Sequence, residues 1–176
     1  LIEGILNSCH ELFKEENNLL EVLKDKICSL IIKLYSEKVE YSVMVRLTRL
    51  SVVIIKHYHQ VLPVESEILL SLLSKIVEMD GSLYSQKIIT LEALKGIFHD
   101  GNLTRSIFKT FDGMNHATHA FRDAVYSLSN IIFTEKNGLM DFKSAAADQK
   151  DLKENAAYSE FAFNWGDSQV KVLWYL

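Results

Sequence analysis

Apolar residues return every three or four positions along this chain, in blocks separated by short polar runs. That spacing predicts a succession of amphipathic helices. Residues 1–14 carry Leu1, Ile5, Cys9, Leu12 and Phe13 on one side, and Glu15, Glu16, Asn17 and Asn18 break the pattern. A second helix over residues 19–35 presents Ile27, Leu30, Ile31 and Leu34. The longest pattern fills residues 41–61, where Val43, Leu47, Leu50, Ile54, Tyr58 and Val61 step by four, three, four, four and three. Pro63 closes it, because proline lacks a backbone donor and clashes in a helix interior. A fourth helix follows at once, with Glu65 and Glu67 at the end where the helix dipole favours acids. It runs through Ile68, Leu72, Leu73 and Ile76 to Asp80 and Gly81.

Residues 82–113 read as a helix pair. Tyr84, Ile88, Leu91, Leu94 and Phe98 share one face of the first, and Leu103, Ile107, Phe108 and Phe111 share one face of the second. The break falls at Asp100 and Gly101. Asn115 is the expected N-cap of a last helix, whose apolar face holds Ala117, Ala120, Phe121, Ala124, Leu128, Ile131 and Ile132. Three Asp-Gly pairs, at Asp80, Asp100 and Asp112, fall where helical patterns end, and glycine in the left-handed region is the expected terminator.

Helix follows helix with no strand pattern between, so the fold class is all-α, built of successive antiparallel helices. Each helix is apolar over a wide face and no fixed repeat period is visible. A degenerate armadillo- or HEAT-like α-solenoid over residues 1–133 fits both features. Residues 134–157 lose the periodic face and read as a polar linker or loop. Residues 158–176 regain aromatics and read as the start of a truncated element. The first residue is Leu1 rather than methionine, and both ends read as cut from something longer.

Composition narrows the function classes. Apolar residues make up 48% and charged ones 24% of 176 residues, which is ordinary for a folded domain. A single proline and seven glycines agree with helices. The net charge of −4 argues against a general nucleic-acid binder. Cys9 and Cys28 sit among helical apolar positions and are expected to be core thiols of a reducing compartment, not a disulfide framework. No apolar run reaches the ~20 residues needed to span a bilayer.

The search for chemistry returns no catalytic constellation, no cofactor motif and no metal site. His57 and His59, two apart on a helix, point about 200° from one another. His116 and His119 face together but lack the third ligand that zinc requires. One charged feature stands out. Arg46, Arg49 and Lys56, with His57, flank the apolar stripe of residues 41–61 within roughly 100°. Two readings stay open: a solvated face whose long stems cover apolar surface, or a contact for an acidic partner or anionic lipid, each cation contributing about 1 kcal/mol near a membrane.

Residues 82–113, continued through FRDAVYSLSNIIF at residues 121–133, resemble the HUS region ("homology upstream of Sec-seven") of the large Arf guanine-nucleotide-exchange factors and their non-catalytic relatives. CSLIIKLYS at residues 28–36 and the run MVRLTRLSVVIIKHYHQVLPVESEILLSLLSKIVEMD at residues 44–80 are similar to the non-catalytic branch, the monensin-sensitivity Golgi scaffolds. The family's short box of asparagine, aromatic, aspartate and cysteine falls on Thr110, Phe111, Asp112 and Gly113. The aromatic and the aspartate match; the outer two positions depart. In the family this box is linked to packing against a preceding dimerisation domain. For Phe111 the alternative is plain core, and for Asp112 a helix-end hydrogen bond.

The resemblance implies a non-catalytic scaffold fragment of a cytoplasmic protein, peripheral on trans-Golgi and early endosome membranes and acting in vesicle traffic. It also implies partners: neighbouring domains of its own chain, a Dopey-family protein and an Arf-like GTPase, with an anionic membrane as a further contact. The alternative is a regulatory HUS domain of an active Arf exchange factor, whose enzyme lies elsewhere in the chain.

Overall fold

The computed structural model describes residues 1–37, 39–79, 81–113 and 118–136, and these form an all-helical unit. In order, the helices are α1 (Ile2–Ser8), α2 (His10–Glu15), α3 (Asn17–Val22), a π-helical stretch (Leu23–Cys28), α4 (Ser29–Tyr35), α5 (Tyr41–Tyr58), α6 (Pro63–Glu78), α7 (Tyr84–Phe98), α8 (Gly101–Phe111) and α9 (Ala120–Lys136). Helix α9 runs through residues 134–136, the expected start of the linker; the rest of that linker, the aromatic segment at 158–176, and Asp80, Asn115, His116 and Ala117 lie outside the described residues.

Helix α6 is the axis of the packing. It touches α4, α5, α7, α8 and α9, and it buries Leu69, Leu70, Leu73 and Val77 at 1% exposure or less. Five neighbours around one helix require apolar residues over more than a narrow stripe, which is why Leu69 and Leu70 are both inside. Helix α5 packs on α6 and α7 and also receives α1 and α2. Its Ile54, Ile55 and Tyr58 are fully buried. The Tyr58 hydroxyl donates to the carbonyl of Leu6 at 3.0 Å, which ties α1 to the core through a satisfied buried polar group. Tyr35 and Ser51 meet at 3.1 Å between α4 and α5.

The N-terminal third departs from the expected pattern. The first helix breaks at Cys9 (φ −109°, ψ 23°), and Leu1, Ile5, Cys9 and Leu12 face solvent while Leu6 is buried. Among the described residues α5 is the main element covering α1 apart from its neighbour α2, so one residue rather than a whole stripe finds a partner. The second helix resumes at Asn17 and widens into the π turn. The wider turn puts Leu23, Cys28 and Ile31 inside and leaves Leu30 exposed. Cys28 is the core thiol expected, and burial pushes its thiol pKa up to about 12.

Three helix boundaries also differ. Helix α5 ends at Tyr58, and Pro63 is the first residue of α6, the position where a missing N–H costs nothing. Val61 is exposed as a result. Gly81, Gly101 and Gly113 are not in the left-handed region. The Asp100–Gly101 pair instead starts a helix, since the Asp100 carboxylate accepts from the amides of Asn102 (2.9 Å) and Leu103 (3.2 Å). Among the described residues no helix is long and apolar enough to cross a membrane.

Candidate interaction site

The corner where α8 turns into α9 brings the box residues together. Helix α8 is strongly two-faced. Leu103, Ile107 and Phe111, spaced by four, are buried, while Arg105, Phe108 and Lys109 lie on the outer side. Phe108, expected in the apolar stripe, is 48% exposed. The stripe is one residue too wide for the single face that α6, α7 and α9 cover. Helix α8 is pinned to α5 by His59. Its Nδ1 donates to the Ile55 carbonyl (2.9 Å), so its Nε2 is left to accept from the Ser106 hydroxyl (2.7 Å). Burial holds the His59 pKa below the usual imidazole value. Gln60 donates to the same Ser106 oxygen at 3.3 Å.

Each box position has a physical role inside the fold. The Thr110 hydroxyl donates to the Ser106 carbonyl one turn back, at 2.9 Å. Phe111 is 3% exposed and belongs to the core. Asp112 ends α8, and its carboxylate reaches across to the start of α9. Oδ1 accepts from the Phe121 amide at 3.1 Å and Oδ2 from the Arg122 amide at 3.0 Å. These are two of the amides that a helix start leaves unpaired, and a carboxylate there also meets the positive end of the helix dipole. The residue before α9, His119, has φ 63°, and its carbonyl accepts from Asp123 at 2.9 Å. At Gly113 a Cβ would sit 2.7 Å from the Lys109 carbonyl oxygen and 3.2 Å from its Cα, so this turn admits no side chain without moving backbone. That explains glycine where the family box has cysteine.

Aromatic edges close the corner. Phe121 meets Phe98 and Phe108 edge-on, both at 5.6 Å between ring centroids. Farther along α9, the Ser127 hydroxyl lies 2.7 Å from the Glu78 carboxylate of α6 and 2.8 Å from the Asp123 carbonyl. On α6, burial and then the charge of Asp112 raise the pKa of Glu67. An open cleft of about 360 Å³ remains between Phe108, Asp112, His119, Phe121, Arg122 and Val125.

The basic residues of α5 are placed separately. Arg46, Arg49 and Lys56 are exposed, and Arg49 has a partner of its own. His57 is half-buried and packed against α1 and α2. Its Nε2 is 3.0 Å from Asn7 Oδ1, and its ring lies 4.4 Å from that of His10. Among the described residues no three His, Cys, Asp or Glu side chains gather as a metal site. Sequence reasoning missed the cleft, because its lining comes from both sides of a turn. It also missed the capping partner of Asp112, nine and ten residues away.

The profile of the family described as "Mon2/Sec7/BIG1-like, HUS domain" matches residues 1–120. "Protein MON2 homolog" of Drosophila melanogaster is 29% identical over 152 residues, covering 75% of this chain and 9% of that protein. The Homo sapiens protein of the same name is 29% identical over 150 residues, with the same shares. "Protein MON2" of Saccharomyces cerevisiae is 27% identical over 124 residues, 69% of this chain and 8% of that protein. The chain thus spans less than a tenth of the length of these relatives. No solved structure matches it. With the family model matching residues 1–120, more than half of its length, the chain belongs to the HUS-domain family of Mon2-, Sec7- and BIG1-like proteins.

Proposed function

We propose that this chain is a non-catalytic helical scaffold unit of a large peripheral protein of the trans-Golgi network and early endosomes, acting in vesicle traffic. The supporting observation is the similarity to Mon2 proteins across three-quarters of the chain. The helices succeed one another around α6 as an armadillo-like solenoid and hold a rigid surface for other domains and proteins. The partners are the dimerisation domain of the same protein, a Dopey-family protein and an Arf-like GTPase. Arg46, Arg49 and Lys56 add a weak contact to an acidic partner or an anionic membrane, because isolated exposed charges contribute little each. Thr110, Phe111, Asp112 and Gly113 serve the interface by fixing the corner that meets the neighbouring domain.

The test uses the full-length protein. Capture of the Dopey-family partner should fall when residues 1–136 are deleted, and purified protein should not speed nucleotide exchange on Arf-family GTPases. Exchange activity would overturn the scaffold reading in favour of a regulatory domain of an active exchange factor.

A further inference from the structure

We propose that the cleft at the α8–α9 corner seats an apolar side chain of an acidic peptide segment, whose carboxylates face Arg105, Lys109 and Arg122. The inference rests on the scaffold reading and names the chemistry of one partner. The floor is apolar: Phe108 and Val125 are 48% and 44% exposed, and half-buried Phe121 lies between them. Its volume of about 360 Å³ is at the small end of ligand clefts, enough for one large side chain.

The charges around it favour an anionic partner. Arg105 and Lys109 are the only charged residues of α8, and both are exposed on the side of Phe108. Arg122 lines the cleft from α9. The acids nearby offset these three cations only in part, Asp112 being the one that lines the cleft. Asp100 caps α8 and Asp112 caps α9, each through two backbone amides. Glu67 is half-buried on α6 near Asp112. Asp123 faces Arg122 at 3.9 Å, with both about two-thirds exposed, a pair that solvent keeps weak.

A peptide fits better than a bilayer. Phe108 and Val125 line a concavity that receives a side chain, whereas a membrane is met by apolar side chains that protrude. In such a complex the buried anchor supplies most of the affinity, and the charges set encounter rate and partner choice.

The experiment measures fluorescence anisotropy of a labelled synthetic peptide, a single phenylalanine within a run of glutamates, against the 176-residue chain. Saturable binding is expected. It should weaken roughly tenfold when the peptide's phenylalanine becomes alanine, and similarly with Phe108→Ser or Arg122→Glu in the protein. Phe108→Leu should retain it, and added salt should weaken it. Thermal melts of Phe108→Ser check folding, and Arg122→Glu lies on exposed surface. Absence of saturable binding overturns the proposal. So does equal binding of the alanine peptide, or wild-type affinity in both variants. Phosphatidylserine vesicles, bound by the wild type and released by the same variants with no peptide binding, would replace the peptide with a membrane. Each of these failures leaves the partner-capture and exchange tests of the scaffold reading untouched.

Discussion

Replacing Asp112 by alanine removes both capping bonds to α9 and nothing from the core, so it isolates what the box aspartate does. Loss of an N-cap costs about 0.5–2 kcal/mol. The charge at the helix end contributes a further ~0.3–1 kcal/mol at a half-exposed position, after allowing for solvent screening. A loss near 2 kcal/mol is expected for Asp112→Ala, and about half of that for Asp112→Asn, which keeps one acceptor. Urea denaturation followed by circular dichroism reads the total. The native spectrum should barely change, because α9 stays packed on α6 and is anchored by Ser127 and Glu78. Amide exchange locates the effect: the Phe121 and Arg122 amides should lose protection ahead of the rest of α9. A third readout is independent of stability. Because the Asp112 charge raises the Glu67 pKa, Asp112→Asn should move the Glu67 titration downward by NMR. Unchanged unfolding midpoints together with unchanged exchange at Phe121 and Arg122 would refute the capping role.

Other substitutions probe the remaining ties. Ile107→Ala, at a fully buried site, should cost about 2–5 kcal/mol in urea denaturation. Tyr58→Phe strands the Leu6 carbonyl and should cost about 1–3 kcal/mol, with faster amide exchange in α1. His59 and His57 have pKa values lowered by burial, and for His57 also by the charges of His10, Lys14 and Lys56. Between the lowered folded value and the unfolded value near 6.5, the unfolded chain binds more protons, so stability rises with pH there. The stability these histidines confer should be complete above about pH 6.5 and lost as pH falls through their folded values. Urea midpoints across that range check it, and His59→Asn should flatten the slope.

Element type was legible in the sequence wherever a helix is covered on several sides. In α5 the periodic Leu47, Ile54 and Tyr58 are buried and Val43 and Leu50 half-buried, whereas in α6 the stripe is offset by about one residue: Leu69, Leu70 and Val77 join Leu73 inside, Leu72 and Ile76 are half-buried, and Ile68 is exposed. In α1 and α2 the same periodicity misleads. Leu1, Ile5 and Leu12 keep perfect helical spacing yet stay in water, since spacing reports amphipathicity and not whether a partner exists. In α7 the stripe is offset by about one residue: Ile89, Thr90 and Ile97 join Leu94 inside, while Ile88, Leu91 and Phe98 are half-buried. The π turn at Leu23–Cys28 has no local sequence signal, and it decides that Leu30 rather than Leu23 faces out. At the corner, Phe111 was readable as core and Asp112 as a helix-end acid. The helix that Asp112 serves is α9, not its own, and a bond across a turn of this length is not encoded in spacing.

This geometry also changes how the box can matter for partners. Phe111 is buried and the Asp112 oxygens are occupied by backbone amides, so neither acts chiefly by offering a group to another protein. Yet the amides that Asp112 holds belong to Phe121 and Arg122, two residues that line the proposed peptide cleft. The aspartate therefore sets the position of the apolar floor and of one cation together. If that is its role, Asp112→Asn should weaken the acidic peptide through misplacement, and the loss should grow with the rise in amide exchange at Phe121. Arg122→Glu should instead weaken binding roughly tenfold with exchange at Phe121 unchanged. A variant at Asp112 that speeds exchange at Phe121 without weakening the peptide would show that cap and cleft are independent features of the same corner.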